Sequence, residues 1–438
     1  MGARAGPDPR GARPTRSPGR CPGGLLRPGH PIRILSVGNR YPPWSLGGYE
    51  TIWQRANAAL RRGGHQVRVL TAAPDPTDEQ ASETAEPDVH RELRWYWSQH
   101  RFPAVTLRAA LALERANART LREHVETFAP DAVVWWSMGG MSLSLLEQVR
   151  RADLPALGVV GDEWMLYGPE VDGWSRRWRG WRRPAGPLAR LATGIPARFE
   201  IAEAARWIFI SEHLLGLAQG AGRPWKNALV AHPGVDGNRF AWTEAQPWRW
   251  GLLYCGRIDA RKGVETAVRA LSHLPEQATL CVDGGGDEEY AAELLKLALQ
   301  LGVERRLLLR RSPRELVPAT YAEFDAVLFP VTWQEPWGLV PLEAMSVGRP
   351  VVASRAGGGP SEYLREDHNC LAFDPGDAAG LAAAVRRLAA DPSLRAGLVA
   401  AGRTTTRRFS ETRFHDTIEA ELRGLAGARQ PLGPDRNS

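Results

Sequence analysis

The chain of 438 residues contains four cysteines, Cys21, Cys255, Cys281 and Cys370. They form neither a paired disulfide framework nor a metal-type cluster, so a reducing cytoplasmic compartment fits them best. The longest uncharged run, residues 132–146, is shorter than the roughly 20 apolar residues that span a bilayer. The sequence therefore predicts a protein with no transmembrane helix.

Acidic residues and apolar segments are scarce at the N-terminus. Residues 1–30 contain one acidic residue, Asp8, and no apolar segment long enough for the core of a secretory signal. We predict disordered tails at residues 1–30 and 427–438. Because the first tail contributes much of the formal net charge of +7, the basic balance does not predict nucleic-acid binding by the folded part.

The first half of the chain alternates apolar strand patterns with helical patterns. Residues 32–38 are typical of a strand, a glycine-rich loop at 41–48 leads into a helix at about 50–62, and residues 67–70 follow as the next strand. This order predicts a βαβ unit with parallel strands. Further strands are predicted at residues 132–136, 156–160 and 207–210. The pattern favours one doubly wound α/β domain over residues 31–232.

The second half repeats this alternation. Strands are predicted at residues 252–255, 279–282, 307–309, 326–329 and 351–353. We therefore expect a second α/β domain over residues 251–410, a linker at 233–250, and a final helix at 411–426 that packs back on the first domain. Two facing domains enclose a cleft, and such clefts are preferred ligand sites.

Two glutamates follow the strand at residues 326–329. Glu335 lies in the loop at the carboxyl end of that strand, where open α/β sheets bind ligands, and Glu343 lies in the next helix. A helix N-terminus favours phosphate, and carboxylates accept hydrogen bonds from sugar hydroxyls. The combination suits a sugar joined to a diphosphate. Two alternatives stay open: solvated surface glutamates, or the acid and base of a glycosidase.

Two cations stand in the loop after the first strand of the second domain. Arg257 and Lys262 can both point at a diphosphate, one as a planar fork and the other as a point charge. A solvated basic loop is the competing interpretation. The position of this loop between a strand and a helix favours the interpretation that it binds a diphosphate.

Several smaller motifs also follow predicted strands. Gly47 and Gly48 let a ligand approach the backbone closely, although a simple turn explains them as well. Asp162 follows the strand at 156–160 and either orients an acceptor hydroxyl or caps the next helix. Neither His65 nor His232 has a second ligand at suitable spacing, so no metal site is expected at these histidines.

A basic segment stands apart from these motifs. Residues 173–198 hold seven arginines and no acids, with Trp174, Trp178 and Trp181 at the spacing of one helical face. Such a helix either packs its tryptophans on the domain or lies on an anionic membrane or lipid-linked acceptor. Membrane contact would make the protein peripheral on the inner membrane face.

Taken together, these features resemble the retaining glycosyltransferases of family 4, which have the GT-B architecture of two facing Rossmann-like domains. The resemblance covers residues 32–422. Its most specific parts lie in the second domain, at residues 256–263, 335–345, 348–352 and 375–377.

The resemblance implies roles for the motif residues. Arg257 and Lys262 would hold the donor diphosphate. Glu335 would contact hydroxyls of the donor sugar, and Glu343 would contact the ribose. The remaining donor-site positions implied in this way are Gly47, Gly48, Gly338, Leu339 and Val340.

The sequence departs from the family pattern at three positions. Gly161 stands where many members carry a histidine that supports the transferred sugar, which leaves the role of Asp162 in its stead open. Asp283 and Cys370 replace usual glycines. None of these changes removes a charged donor contact.

The implied function is transfer of a sugar from a nucleotide-diphosphate sugar to a hydroxyl acceptor, without a cofactor or a metal ion. The cationic loop and a helix N-terminus would stabilise the leaving diphosphate. Two alternatives stay open: sugar-phosphate chemistry on the same fold, such as epimerisation or phosphorolysis, and a non-catalytic protein that binds nucleotide sugars or a membrane surface.

Overall fold

The computed structural model describes residues 30–44, 47–74, 86–98, 101–222, 224–244 and 246–428. The predicted terminal tails lie almost wholly outside this part of the chain, as do two residues of the predicted loop at 41–48. The described residues form two parallel sheets, each flanked by helices. The predicted α/β fold with two doubly wound sheets is therefore confirmed.

The first sheet contains seven parallel strands in the order β3-β2-β1-β4-β5-β6-β7. Its strands are β1 (Arg33–Gly38), β2 (Gln66–Ala72), β3 (Val89–Leu93), β4 (Ala132–Trp135), β5 (Ala156–Val160), β6 (Arg206–Phe209) and β7 (Ala228–Val230). The central strands are fully buried because helices cover both faces, as parallel sheets require.

The second sheet contains six parallel strands in the order β10-β9-β8-β11-β12-β13. Its strands are β8 (Gly251–Cys255), β9 (Thr279–Asp283), β10 (Leu307–Arg310), β11 (Ala326–Phe329), β12 (Val351–Ser354) and β13 (Leu371–Phe373). In both sheets the chain order reverses next to a central strand, which opens a crevice at the carboxyl ends.

The helices connect these strands. They are α1 (Gly48–Arg62), α2 (Leu107–Phe128), α3 (Ser144–Arg151), α4 (Trp164–Val171), α5 (Gly186–Thr193), α6 (Glu212–Gly220), α7 (Val264–Leu271), α8 (Glu288–Gln300), α9 (Val317–Glu323), α10 (Val340–Val347), α11 (Ala378–Ala390), α12 (Pro392–Arg408) and α13 (Glu411–Gly427). Among these helices, none is long and apolar enough to cross a membrane.

All ten strands predicted from the sequence are present, and three further strands were missed. The missed strands β3, β7 and β13 are edge strands of their sheets. β3 carries four polar or partly exposed side chains among its five residues, and β7 and β13 have three residues each. β3 therefore shows too few buried apolar residues, and β7 and β13 are too short, to give the apolar run by which a strand is recognised in the sequence.

The last helix, α13, packs on α1 and on the β4 and β5 side of the first sheet. Arg55 of α1 pairs with Glu411 at 3.0 Å, and the buried His65 contacts Glu419 at 3.2 Å. His65 also accepts a hydrogen bond from the backbone of Ile32, so it is a packing residue. The chain thus returns from the second sheet to the first.

The prediction of a single helix with a tryptophan face in residues 173–198 is wrong. The segment forms two short 3-10 turns, Ser175–Trp178 and Gly180–Ala185, separated by the extended backbone of Arg179, and then α5. Trp174 is buried against Ile195 and donates its indole N–H to the backbone of Pro196 at 2.9 Å. Trp181 is 84% exposed. Trp174 and Trp178 remain in edge-to-face contact with ring centroids 5.2 Å apart, so of the three tryptophans it is Trp181 that leaves the predicted face.

Candidate active site at the carboxyl ends of the two sheets

Lys262 and Glu335 meet at the carboxyl ends of β8 and β11. The Lys262 ammonium lies 2.8 Å and 2.6 Å from the two carboxylate oxygens of Glu335, and both side chains are mostly buried. The two loops are joined by a backbone hydrogen bond of 2.9 Å from Thr332 to Arg261. The structure therefore places side by side the two residues that the sequence assigned to the diphosphate and the sugar.

Close backbone packing holds the Glu335 loop in place. Gly359 donates its N–H to the carbonyl of Glu335 at 2.8 Å. Gly358 has φ of +78°, and a Cβ there would lie 2.4 Å from the same carbonyl oxygen. A side chain at 358 would therefore push the loop away. Gly359 is equally constrained, since a Cβ there would lie 2.2 Å from the carbonyl oxygen of Pro336.

The loop that carries Arg257 is supported in a similar way. A Cβ at Gly284 would lie 1.9 Å from the carbonyl oxygen of Gly256, so the loops after β8 and β9 touch through their backbones. The Tyr254 hydroxyl donates to the Arg257 carbonyl at 2.6 Å, and the Arg257 guanidinium lies 3.3 Å from Asp259. These contacts leave the Arg257 side chain 38% exposed at the sheet edge.

Asp283, which stands where the family usually has glycine, is a structural carboxylate here. It is buried, and it accepts hydrogen bonds from the Ser312 backbone at 2.8 Å and the Ser312 hydroxyl at 2.6 Å. Arg310 approaches it at 3.2 Å. Asp283 therefore ties the loop after β9 to the loop after β10.

Glu343 lies in the first turn of α10, where the buried Tyr321 donates a hydrogen bond to its carboxylate at 2.7 Å. Burial raises the pKa of Glu343. The Tyr321 phenol is therefore one hydrogen-bond partner of this carboxylate. Tyr321 was missed because it is 22 residues away and no local pattern connects the two positions.

The backbone before α10 turns sharply at Gly338, which has φ of +77°. The Tyr363 hydroxyl donates to the Gly338 carbonyl, and a Cβ at Gly338 would lie 2.9 Å from the Phe329 ring. Leu339 precedes the helix without a side-chain cap, and Val340 begins it. The helix N-terminus, with its partial positive charge, therefore starts in the loop that carries Glu335.

Gly47 and Gly48 lie at the start of α1 in the first domain. A Cβ at either position would have no neighbour within 4 Å among the described atoms, so the space in front of them is open. The N–H of Gly47 donates to the Glu50 carboxylate at 3.0 Å. This N–H is therefore used within the helix cap, while the open space still lets a ligand approach the backbone closely.

Asp162 follows β5 and is partly buried. Its carboxylate accepts hydrogen bonds from the Trp164 backbone at 3.2 Å and from the Tyr167 hydroxyl at 3.3 Å. Burial raises the pKa of Asp162 to about 7. The first of these bonds matches the helix-capping interpretation, and the carboxyl group is positioned at the same time beside Gly161.

Tyr49 covers Gly161, and the sequence gave no sign of this contact. A Cβ at Gly161 would lie 2.3 Å from the Tyr49 ring, and the Tyr49 hydroxyl donates to the Val159 carbonyl. The ring therefore occupies the space into which a side chain at 161 would project. A larger residue at 161 would require Tyr49 to move.

The two domains meet around these residues. Arg314 of the second domain donates to the Thr51 hydroxyl of α1 at 2.6 Å. The Trp337 indole N–H donates to the Pro233 carbonyl at 2.8 Å, and the ring stacks on His232 with centroids 4.5 Å apart. His232 thus packs between the domains, and the carboxyl ends of both sheets border one cleft.

Two facing doubly wound sheets, with a cation and carboxylate pair and a helix N-terminus at the cleft, define a glycosyltransferase of GT-B architecture. The model of the family described as Glycosyltransferase Family 4 matches residues 46–239, and the model described as Glycosyl transferases group 1 matches residues 244–405. The chain belongs to this family, and the resemblance noted in the sequence is confirmed.

Characterised proteins support this assignment. A glycogen synthase of Mycobacterium tuberculosis is 28% identical over 91% of this chain and 97% of its own length. Among solved structures, sucrose-phosphate synthase from Thermosynechococcus elongatus superimposes with a TM-score of 0.67 at 19% identity, covering 90% of this chain and 99% of that one. HepE of Anabaena, solved with UDP-glucose, has a TM-score of 0.63 at 20% identity, covering 90% and 100%. These two structural likenesses show the fold.

Proposed function

We propose that this glycosyltransferase moves a hexosyl group from a nucleoside diphosphate sugar to a hydroxyl acceptor, with retention of the anomeric configuration and without a catalytic metal ion. The observation that carries the proposal is the Lys262–Glu335 pair beside the start of α10. HepE binds UDP-glucose, and the mycobacterial relative is a glycogen synthase, which supports a nucleotide sugar as the donor.

In the proposed donor site, Lys262 and Glu335 each contact a different part of the donor. Lys262 and Arg257 hold the diphosphate, assisted by the backbone of Gly338, Leu339 and Val340 at the helix N-terminus. When the ammonium of Lys262 turns to a phosphate oxygen, the Glu335 carboxylate is free to accept hydrogen bonds from sugar hydroxyls. Donor binding thus replaces an ion pair with two contacts to the donor.

Glu343 is proposed to contact the ribose. Its carboxylate already accepts one hydrogen bond from Tyr321, and a carboxyl group has further acceptor sites for a hydroxyl group. Because Tyr321 fixes the side chain, little rotamer freedom is lost when the ribose binds. Glu335 and Glu343 therefore bind two parts of one donor, and neither is proposed as the acid or base of a glycosidase.

The proposed reaction needs no nucleophile from the protein. The bond between the sugar anomeric carbon and the diphosphate oxygen breaks, and the acceptor oxygen bonds to the same carbon from the same face. A phosphate oxygen takes the acceptor proton. Arg257, Lys262 and the start of α10 stabilise the negative charge that develops on the diphosphate.

The acceptor is proposed to lie against Asp162, which follows Gly161 at the carboxyl end of β5. The open space in front of Gly47 and Gly48 is proposed to admit the donor on the first domain's side of the cleft. Because its pKa is about 7, Asp162 can donate a hydrogen bond as an acid below that pH. Asp162 would thereby orient the acceptor hydroxyl group.

A surface of the first domain is proposed to rest on an anionic membrane. Trp181, Leu188 and Leu191 are 84%, 69% and 84% exposed, and the Arg182 guanidinium lies over the Trp181 ring. Exposed apolar side chains interspersed with arginines suit an interface rich in anionic lipid. We call Trp181, Leu188 and Leu191 the apolar patch.

The experiment begins with a thermal-shift screen of UDP-, GDP-, ADP- and TDP-sugars, since a donor that binds the folded state raises its stability. The best donor is then incubated with acceptor alcohols, with and without EDTA, and the product anomer is assigned by NMR. A product of inverted configuration contradicts retention. Loss of activity in EDTA, with folding intact by circular dichroism, contradicts metal independence. Isomerised donor without an acceptor would favour an epimerase.

A further inference from the structure

Three metal-ligating side chains cluster at the edge of the first sheet, away from the cleft. His90 and Glu92 lie two positions apart in β3, and His90 Nδ1 lies 3.2 Å from the Glu92 carboxylate. His124 projects onto them from α2. Their potential ligand atoms all lie within 4.8 Å of one another. In the sheet order, β3 is separated from β5 and its Asp162 loop by three strands.

The spacing within this cluster suits a tetrahedral ion. Glu92 lies 3.2 Å from His90 Nδ1 through one carboxylate oxygen and 3.1 Å from His124 Nε2 through the other. Ligands about 2.1 Å from a tetrahedral Zn²⁺ lie about 3.4 Å from each other. The existing separations are close to that value, so small side-chain rotations would admit the ion.

A neighbouring carboxylate prepares His90 for coordination. Asp88 lies 2.7 Å from His90 Nε2, the ring nitrogen that does not face Glu92. A carboxylate at this nitrogen holds the proton there and leaves the lone pair of Nδ1 available for a metal, as in carboxylate, histidine and zinc triads. Arg68 in turn contacts Asp88 at 3.0 Å and fixes its position.

We propose that His90, Glu92 and His124 bind one divalent transition-metal ion of the Zn²⁺ class, with water at the fourth position. Two imidazoles and a carboxylate are ligands that Zn²⁺ favours. The ion would clamp the edge strand β3 to α2 and stabilise that edge. This role is structural, and it is independent of the proposed transfer reaction.

The alternative is an ion-pair cluster without a metal, in which the two histidines share the Glu92 carboxylate. Hydrogen bonds from His124 and then His90 outweigh burial and lower the pKa of Glu92, which either arrangement allows. The sequence did not reveal the cluster because His124 is 32 residues beyond Glu92 and the strand β3 was not predicted. Binding measurements separate the two arrangements.

The test titrates Zn²⁺ into tag-free full-length protein by calorimetry, and Co²⁺ by visible absorption, which reports tetrahedral coordination. The variants are His90→Gln and Glu92→Gln, with the exposed His273→Gln as the matched control. Glu92 is half exposed, so its substitution does not endanger folding. Asp88→Asn should weaken binding by about 10- to 100-fold through the orientation of His90.

The expected result is one Zn²⁺ per wild-type chain, lost or weakened by at least about 10-fold in His90→Gln and Glu92→Gln and unchanged in His273→Gln. Bound Zn²⁺ should also raise the melting temperature of the wild type but not of Glu92→Gln. Absence of binding in the wild type would overturn the proposal. Equal Zn²⁺ binding by His90→Gln, Glu92→Gln and the control His273→Gln would also overturn it.

Discussion

Lys262 and Glu335 form a two-point ion pair across the loops after β8 and β11, 73 residues apart in the chain. Both side chains come from loops at the carboxyl ends of neighbouring strands, since β8 pairs directly with β11. Without a donor they satisfy each other. In the proposed donor site, this ion pair is exchanged for contacts of Lys262 and Glu335 with the donor.

We predict that Lys262→Ala and Glu335→Ala each lower kcat/KM by at least about 100-fold, because each removes a charged contact to the donor. Measured circular dichroism should remain that of the wild type. Glu265→Ala and Arg269→Ala, which break an exposed ion pair at 2.7 Å on the neighbouring α7, are the matched controls and should retain activity. Full activity in both site variants would contradict the assignment.

Gly358→Ala should impair donor binding through the position of Glu335. The added methyl would lie 2.4 Å from the Glu335 carbonyl, and φ of +78° disfavours alanine. We expect a loss of stability of about 1–3 kcal/mol and a higher KM for the donor. Gly216→Ala in α6 has open space around its Cβ and should be neutral or stabilising. Equal behaviour of the two variants in urea melts and donor kinetics would count against this explanation.

Tyr49 and Gly161 should be energetically coupled. Gly161→Ala places a methyl 2.3 Å from the Tyr49 ring, so we expect a loss of about 1–3 kcal/mol as the ring is displaced. In Tyr49→Ala the same substitution meets less resistance. A double-mutant cycle in urea should show a coupling of about 1 kcal/mol or more. Strictly additive losses would show that Tyr49 does not fill this space.

Asp162 should make stability fall as pH rises. Its pKa is raised by burial from an ordinary 3.8 to about 7, so the folded state holds the proton more tightly than the unfolded state. Its stabilisation is fully present below about pH 4 and lost as pH rises to 7, a change of up to about 4 kcal/mol. Asp162→Asn should therefore lose less unfolding free energy between pH 5 and pH 8 than the wild type.

The control for this pH prediction is Asp153→Asn, at an exposed aspartate in the turn before β5. Its pH dependence should match that of the wild type in chemical denaturation at both pH values. The prediction fails if Asp162→Asn and the wild type lose the same free energy across that interval.

The apolar patch should govern membrane binding. Replacing Trp181, Leu188 and Leu191 by serine should release the protein from anionic vesicles in sedimentation assays, because these side chains are exposed and contribute little to the core. Trp174 is a poor probe, since its replacement would create a cavity. Equal retention of the triple variant and the wild type would refute the membrane surface.

Local pattern was enough to predict much of this fold. Apolar runs identified the nine central strands of the two sheets, because a buried parallel strand needs apolar side chains on both faces. The edge strand β10 was identified through its three leucines at residues 307–309. The same reasoning missed β3, because this edge strand consists largely of polar or partly exposed residues and has no apolar run. It also failed at residues 173–198, where spacing predicted one helix and the burial of Trp174 produced two short turns.

For the site, the sequence by itself determined which residue types follow which strands. Arg257, Lys262 and Glu335 could be placed at carboxyl strand ends because parallel topology brings those ends to one edge. Only the tertiary structure decided their partners: Glu335 with Lys262, Glu343 with Tyr321, and Gly161 with Tyr49. Such contacts join residues 22 to 112 positions apart, and no local periodicity records them. They depend on how the two sheets and their loops pack in three dimensions.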